Sequence, residues 1–537
     1  MATDPQHLDI DAPIVELELT DMAHGGDAVG RYEGRAVFVT GGLAGELVRA
    51  QLTRERSNYA RAVLVEVLRP APDRVTPRYP ELGESGGFQW QHLSYPAQLA
   101  WKTRITRQLL MRVGHFAHPT VHPMLGMPAG SDPWRYRTVA QFAVDEGGAI
   151  GFRRAGSHQV IDMAECPIVH PALDQLYQAV RGWLRERWGS EVAQYVERFT
   201  LRVAANDLTS PGARLLPPGI PALATPPTLP DVGRPPDAPT DAARGGGQTT
   251  VGGVGQTTER GGGRPPDAAT SQAGRDQAQR AGVVGLEVRT GGAFDAAGGP
   301  EVIGRALLEA VPALVGVVAL GLPGGRGRVA IGQDYIYDRV YDRVFRISAG
   351  SFFQVNAAQT PVLVERVLTA ARLRPTEQVL DGYSGVGLFS LFFAGRAARV
   401  TAIESQASAV ADARASAEIN HITNVNTLEG VLERSLGTLT RQGERFDLAL
   451  VDPPRSGCHP RALSEIRALG PRALLYVSCD PSTMARDLHL LCDEHLGSGS
   501  YRARGGADDA YQLVSVQPVD LFPHTAHIEC IALVERG

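Results

Sequence analysis

From about Ile14 to Leu68, apolar and polar positions alternate in short runs. Val15-Glu16-Leu17-Glu18-Leu19 alternates, Ala36-Val37-Phe38-Val39 is apolar, and Ala62-Val63-Leu64-Val65-Glu66-Val67-Leu68 follows. Gly25-Gly26 and Gly41-Gly42 supply turns between them. Short strands with glycine turns predict a small β-barrel. Between Pro96 and Val113 the apolar period becomes helical. Thr200-Leu201-Arg202-Val203 and Val283 to Val288 again read as strand. The last third alternates short apolar runs with helical stretches. Its runs are Val379-Leu380-Asp381-Gly382, Val400-Thr401-Ala402-Ile403, Leu448-Ala449-Leu450-Val451 and Ala473-Leu474-Leu475-Tyr476-Val477. That rhythm predicts an α/β domain with a Rossmann-like sheet, whose chemistry belongs at the carboxyl ends of the strands.

The stretch 207–279 breaks the pattern, since Gly, Pro, Thr, Ala and Arg dominate it. Gly233-Arg234-Pro235-Pro236-Asp237-Ala238 returns at Gly263 to Ala268, and Gly247-Gln248-Thr249-Thr250 at Gly255 to Thr258. Such composition cannot bury enough surface to offset ordering entropy, so a disordered insertion is predicted inside a central domain. The expected division is a barrel at 1–70, a central α+β domain at 71–345 and a catalytic domain at 346–537.

Composition narrows the function classes. In a chain of 537 residues, 43% hydrophobic, no apolar run reaches membrane-spanning length. Met1 to Asp11 is polar and acidic, unlike a secretory signal. The five cysteines lack paired spacing, so a disulfide framework is not expected and a reducing, cytoplasmic setting fits. A net charge of −5 carries no global nucleic-acid signature, so any RNA site must be a local patch. Lys102 is the only lysine among 53 basic residues, which reads as a genome-wide preference for arginine.

The candidate chemistry lies at strand ends. Ser478-Cys479-Asp480-Pro481 follows one apolar run and Asp452-Pro453-Pro454-Arg455 another. A lone cysteine is more often a small core residue than a nucleophile. Earlier, Asp381-Gly382-Tyr383-Ser384-Gly385-Val386-Gly387 forms a strand, a glycine turn and a helix start, and Glu404 ends the next strand. Glycines let backbone approach a nucleotide-like ligand, and an acid at that strand end suits ribose hydroxyls. The spacing departs from Gly-x-Gly-x-x-Gly, which disfavours a nicotinamide cofactor. An aromatic residue after Asp-Pro-Pro would suggest amine methylation, and Arg455 stands there instead. Phe522-Pro523-His524-Thr525-Ala526-His527-Ile528-Glu529-Cys530 holds two histidines and an acid, a weak metal signature on a Pro-interrupted loop.

Taken together, Ser-Cys-Asp-Pro, Asp-Pro-Pro-Arg, the glycine turn and the Phe522 to Cys530 stretch resemble the RNA uracil-5-methyltransferase family. Ala23-His24-Gly25-Gly26-Asp27-Ala28-Val29-Gly30-Arg31 resembles the TRAM domain, an oligonucleotide-binding-like barrel that precedes many RNA-modifying enzymes. The resemblance covers nearly the whole chain outside the insertion. It implies S-adenosyl-L-methionine as methyl donor, with Gln354, Tyr383, Gly385, Glu404 and Asp452 at its site. It also implies Cys479 as nucleophile, Glu529 as base, and Phe352 and Asp452 beside the target uracil. For His527 a structural role is expected.

Many relatives hold a four-iron four-sulfur cluster with Cys residues where this chain has Tyr79, Ser85 and Phe88; only Cys166 matches. One thiolate cannot hold a group that needs about four, so no cluster is expected. RNA is the expected partner, 23S ribosomal RNA first because dedicated transfer-RNA relatives generally lack the barrel, and transfer RNA second. A rival from another class is a non-catalytic RNA-binding protein. A monomer is expected. The arginines of the helix at Pro96 to Val113, with Trp134-Arg135-Tyr136-Arg137 and Phe152-Arg153-Arg154, are further RNA candidates, surface charge being the alternative for the helix.

Overall fold

The computed structural model describes residues 12–155, 157–204, 282–288, 299–320, 329–492 and 511–537. The alternating N-terminal strands, Ile14–Met22, Ala28–Tyr32, Arg35–Thr40, Leu47–Glu55 and Tyr59–Arg69, close into a barrel. Val15, Leu17 and Leu19 point inward while the acids between them stay outside, as the strand period requires. Gly26, at φ +103°, makes the turn between the first two strands and lets the barrel meet the rest of the chain. A Cβ there would stand 2.9 Å from that of Ala526 and 3.1 Å from the Trp90 indole nitrogen.

The central sheet has seven strands, in the order 329–332, 314–320, 282–288, 196–203, 139–144, 150–153, 160–162. Helix Pro171–Trp188 covers it, and the buried Tyr177 hydroxyl donates to the carbonyls of Ile150 and Met163 at 2.9 and 2.7 Å. The predicted insertion at 207–279 lies outside the described residues. The strands flanking it pair antiparallel, with Val203 opposite Gly282, so the chain leaves and re-enters the sheet at adjacent positions. Deleting 211–273 and closing the gap with a short Gly/Ser linker is therefore expected to shift the unfolding midpoint by no more than a few degrees. Loop-closure entropy changes by only about 0.6 kcal/mol per halving of length. Loss of cooperative unfolding in the deletion, followed by circular dichroism, would place the segment in the core.

The catalytic sheet runs Val425–Glu429, Arg399–Glu404, Gln378–Gly382, Leu448–Val451, Ala473–Ser478, Glu529–Arg536, Tyr511–Val519. The first five strands are parallel, and Glu529–Arg536 runs antiparallel to both of its neighbours, Ala473–Ser478 and Tyr511–Val519. Parallel strands covered by helices on both faces read as near-continuous apolar runs, and Leu448 to Val451 and Ala473 to Val477 are buried throughout. Strand order reverses between Gln378–Gly382 and Leu448–Val451, which opens a crevice at their carboxyl ends.

Helix Tyr95–Arg112 lies against the catalytic half. Ile105 and Leu110 share one apolar cluster with Leu17 and Val39 of the barrel and Tyr476 and Val534 of the catalytic sheet. Hairpin Tyr335–Val340 and Arg343–Ser348 packs there too, since the Arg346 main chain donates to Ser416 Oγ and that of Ser348 to Asp412.

Candidate active site

Strand register brings the chemistry together. Ser478 pairs with Cys530 across the antiparallel junction, and one further step along that register sets Cys479 opposite Glu529. Directly opposed residues carry their side chains on one face about 5 Å apart. Asp452 follows the adjacent strand, and its main-chain N–H donates to Gly382 O at 3.2 Å. Asp480 caps the helix Pro481–Cys492, accepting from the Ser482 and Thr483 amides at 2.9 and 3.2 Å. The cap fixes where Cys479 leaves its strand.

Charge then shapes the cluster. Glu529 is 3% exposed, and burial followed by the Asp452 charge pushes its carboxyl well above the usual range, with Arg455 pulling the other way. Burial raises Asp452 to about 7. Burial, with Glu529 and Asp452 adding to it, pushes the Cys479 thiol up to about 11, while Arg455 lowers it. Arg455 also reaches His527, at 3.3 Å to Nδ1. Burial and then Arg455 hold His527 down at about 3, so the ring is neutral near pH 7.

The glycine turn sits across the crevice. Tyr383, Gly385 and Gly387 have φ of +60°, +54° and +85°, so three left-handed residues bend the chain sharply after Asp381. The half-buried Tyr383 side chain packs against the apolar cluster, beside Cys458. Nothing stands within 4 Å of a Cβ built on Gly385, which leaves open space at the turn. The Gly385 N–H donates to Glu404 at 3.0 Å, and the same carboxylate accepts from the Ser405 and Gln406 amides. Ser384 Oγ and one Asp381 oxygen are buried without a hydrogen-bond partner. Burial, aided by Asp452 and Glu404, pushes Asp381 up to about 7 against a 2.5 Å bond from Ser390.

The loop ahead of helix Thr360–Ala371 reaches this end of the sheet. Gln406 donates to Gly350 O at 2.7 Å, Ser351 Oγ donates to Asp412 at 2.6 Å, and Arg202 donates to Ser351 O at 2.7 Å. Gln354 of this loop is buried, whereas Phe352 is 62% exposed, unusual for so large an apolar side chain.

Comparison with known proteins follows the same division. Residues 322–537 match the family model described as tRNA (Uracil-5-)-methyltransferase, and residues 14–65 match the TRAM domain. An uncharacterized RNA methyltransferase of Halalkalibacterium halodurans is 31% identical over 533 residues, 97% of each chain. Another, from Caldanaerobacter subterraneus, is 32% identical over 531 residues, 97% of this chain and 98% of its own. The chain belongs to the RNA uracil-5-methyltransferase family. A crystal structure of Pyrococcus abyssi tRNA (uracil-54, C5)-methyltransferase with S-adenosyl-L-homocysteine shares the fold, at TM-score 0.60 and 20% identity. It covers 96% of this chain and 99% of that one.

The open glycine turn, the unpartnered Ser384 and Asp381 atoms and the acid at Glu404 fit the family's methyl donor, S-adenosylmethionine. The side chains present do not fit an iron–sulfur cluster. Phe88 and Cys166 are buried in the same apolar cluster, with Tyr79 packed against it, and Phe88 stacks on Trp134 at 6.1 Å. Among Tyr79, Ser85, Phe88 and Cys166 there is one thiol, which burial raises to about 12.

Several expectations need correcting. Trp134 is not free to stack on a base, because its ring lies 3.9 Å from that of His524 at an interplanar angle of 22°. Tyr136 is buried and donates to Pro523 O at 3.3 Å, and the Arg137 guanidinium lies over Phe522 at 5.6 Å. These residues brace the turn that carries His527. Phe152 packs face to face on Phe142 at 5.5 Å. Lys102 is on neither an RNA face nor a solvated one, being 0% exposed and 2.6 Å from Asp520. Sequence reasoning also gave Arg455 no role at the thiol, although a cation directly after Asp-Pro-Pro, at the strand end beside that of Cys479, was the available signal. His24, from the barrel, stands 3.9 Å from Asp480, so the barrel borders the site.

Proposed function

We propose that this chain methylates carbon 5 of a uridine in RNA through a covalent Cys479–uracil adduct. The observation that carries the reading is the pairing of a strand-end thiol with a buried carboxyl whose proton affinity is raised. Carbon 5 of uracil is a weak nucleophile. The Cys479 thiol first gives up its proton to solvent, and addition of the thiolate to carbon 6 moves the ring's π electrons toward oxygen 4 and makes carbon 5 an enolate carbon. S-adenosylmethionine, when bound, supplies an electrophilic methyl group to that carbon. Glu529 then takes the carbon 5 proton, the double bond re-forms, and the sulfur leaves as thiolate. Burial and the Asp452 charge raise the proton affinity of the Glu529 carboxyl, which favours its taking that proton. Asp452 orients the pyrimidine edge, and exposed Phe352 receives a base taken out of its stack. The turn at Tyr383 and Gly385, with Gln354, Glu404 and Asp452, holds the methyl donor.

We take 23S ribosomal RNA as the first target and transfer RNA as the second. A specific observation keeps the second open. The transfer-RNA enzyme of Pyrococcus abyssi shares the fold over 96% of this chain, which takes in most of the barrel. A barrel is therefore compatible with either RNA. Mapping 5-methyluridine in total RNA with and without the gene is expected to show loss at one defined uridine. An unchanged map overturns the assignment, and the RNA class in which the loss falls decides between the targets.

A further inference from the structure

Helix Tyr95–Arg112 carries a buried polar stripe where an apolar one would ordinarily pack. Gln98, Lys102 and Thr106 are spaced four apart, so they stack on one face, and all three are 0% exposed. Each is bonded to the same stretch of chain, Asp520 to Cys530. Gln98 accepts from the His524 N–H at 2.9 Å, and its amide nitrogen lies 3.2 Å from His524 Nδ1. Lys102 donates to Asp520 Oδ1 at 2.6 Å and to the Phe522 carbonyl at 3.0 Å. Thr106 Oγ1 lies 3.8 Å from Cys530 Sγ. That stretch presents His527 and Glu529 to Cys479.

Composition adds an independent argument. All of the remaining Lys and Arg positions in this chain are arginine. A buried site with one carboxylate oxygen and one carbonyl suits a compact ammonium with rotatable donors, whereas the wide planar fork of arginine does not fit. The Lys102 ammonium also lies 5.9 Å from the Trp90 ring, which closes the site from the barrel side. Trp90 in turn donates from its indole to Gly26 O at 3.0 Å and from its main chain to His524 O at 3.0 Å.

We propose that Lys102, through Asp520 and the Phe522 carbonyl, is a positioning residue for proton removal at the active site. It sets the turn from which Glu529 and His527 face Cys479, and it touches neither RNA nor methyl donor. The inference rests on the adduct mechanism proposed above. Burying one charge without its partner is costly, so Lys102→Met alone destabilises the fold by leaving Asp520 uncompensated. The pair variant Lys102→Met/Asp520→Asn removes both charges and keeps the shapes.

The experiment follows single-turnover methylation of target RNA by the full chain, reading 5-methyluridine and covalent adduct on denaturing gels. Adenosylmethionine affinity and the unfolding midpoint are measured alongside. Lys102→Met is expected to slow adduct resolution roughly tenfold to a hundredfold, as small misplacements of a catalytic group do, with adduct visible and cofactor affinity within about twofold. In the pair variant the midpoint recovers while slow resolution persists, because the Phe522 carbonyl still lacks its donor. A pair variant that resolves adduct at the parent rate overturns the proposal, as does one that loses cofactor affinity and resolution equally. If the parent chain itself forms neither adduct nor 5-methyluridine, the adduct mechanism has failed and the positioning role falls with it, whereas a normal parent with a fast-resolving pair variant overturns the positioning role alone.

Discussion

Glu529→Gln protein given target RNA and S-adenosylmethionine is expected to accumulate a covalent RNA–protein adduct, while Cys479→Ala forms none. The order of events requires this. Sulfur addition and methyl transfer precede proton removal, so loss of the base stalls the reaction after the S–C bond has formed. Glutamine keeps the shape of Glu529 but removes its basicity, and general-base losses typically cost about 10²–10⁴-fold. Multiple-turnover methylation should fall by about that factor, with adduct reaching a large fraction of the enzyme. The double variant should also form none, because the thiol comes first. Turnover by Glu529→Gln at the parent rate would move the base to another residue. His527 is the next candidate by position, yet it is held neutral at about 3, a poor proton acceptor. Adduct surviving in the double variant would exclude Cys479 as the nucleophile.

Glu529 also shows why parts of this site were legible in sequence and parts were not. Strand ends carry a local signature, an apolar run followed by turn formers, so Cys479, Asp452 and the Asp381 to Gly387 turn could be placed at the sheet's carboxyl edge from the amino-acid order alone. Register then does the rest, and register between Ala473–Ser478 and Glu529–Arg536 depends on pairing across about fifty residues of chain. The barrel was legible for the same local reason, strict alternation broken by glycine pairs. What failed was the reading of amphipathic residues as a face. Trp134, Tyr136 and Lys102 look like RNA contacts in one dimension because aromatics and cations suit RNA. In three dimensions they are bonded to the 520–530 stretch, hundreds of residues away. Periodicity reveals which side of a helix is distinct, but a buried polar stripe and an exposed one have the same period. Burial itself comes only from the partner.

Arg455→Gln is expected to slow adduct formation at neutral pH and to move the rising limb of the pH–rate profile to higher pH. The sign follows from the thiol. Its attack requires the thiolate, and the Cys479 thiol stands near 11 because burial and two carboxylates oppose ionisation while Arg455 alone favours it. Removing the cation raises the thiol further. If its pKa rises by about one, the thiolate population at a pH well below 11 falls about tenfold, equivalent to about 1.36 kcal/mol. A more basic thiolate is intrinsically more nucleophilic, with a Brønsted slope of about 0.4–0.5, which returns roughly threefold of that loss. The net slowing at pH 7.5 is then about threefold, and it vanishes as pH approaches the thiol's own range. Arg455→Lys restores a positive charge without the planar fork, so it should recover most of the limb's position while losing the contact to His527. Single-turnover adduct formation across the alkaline range, with saturating RNA, makes the measurement. A profile that keeps its position while RNA affinity falls would identify Arg455 as an RNA contact and leave the thiol's ionisation to the bound substrate.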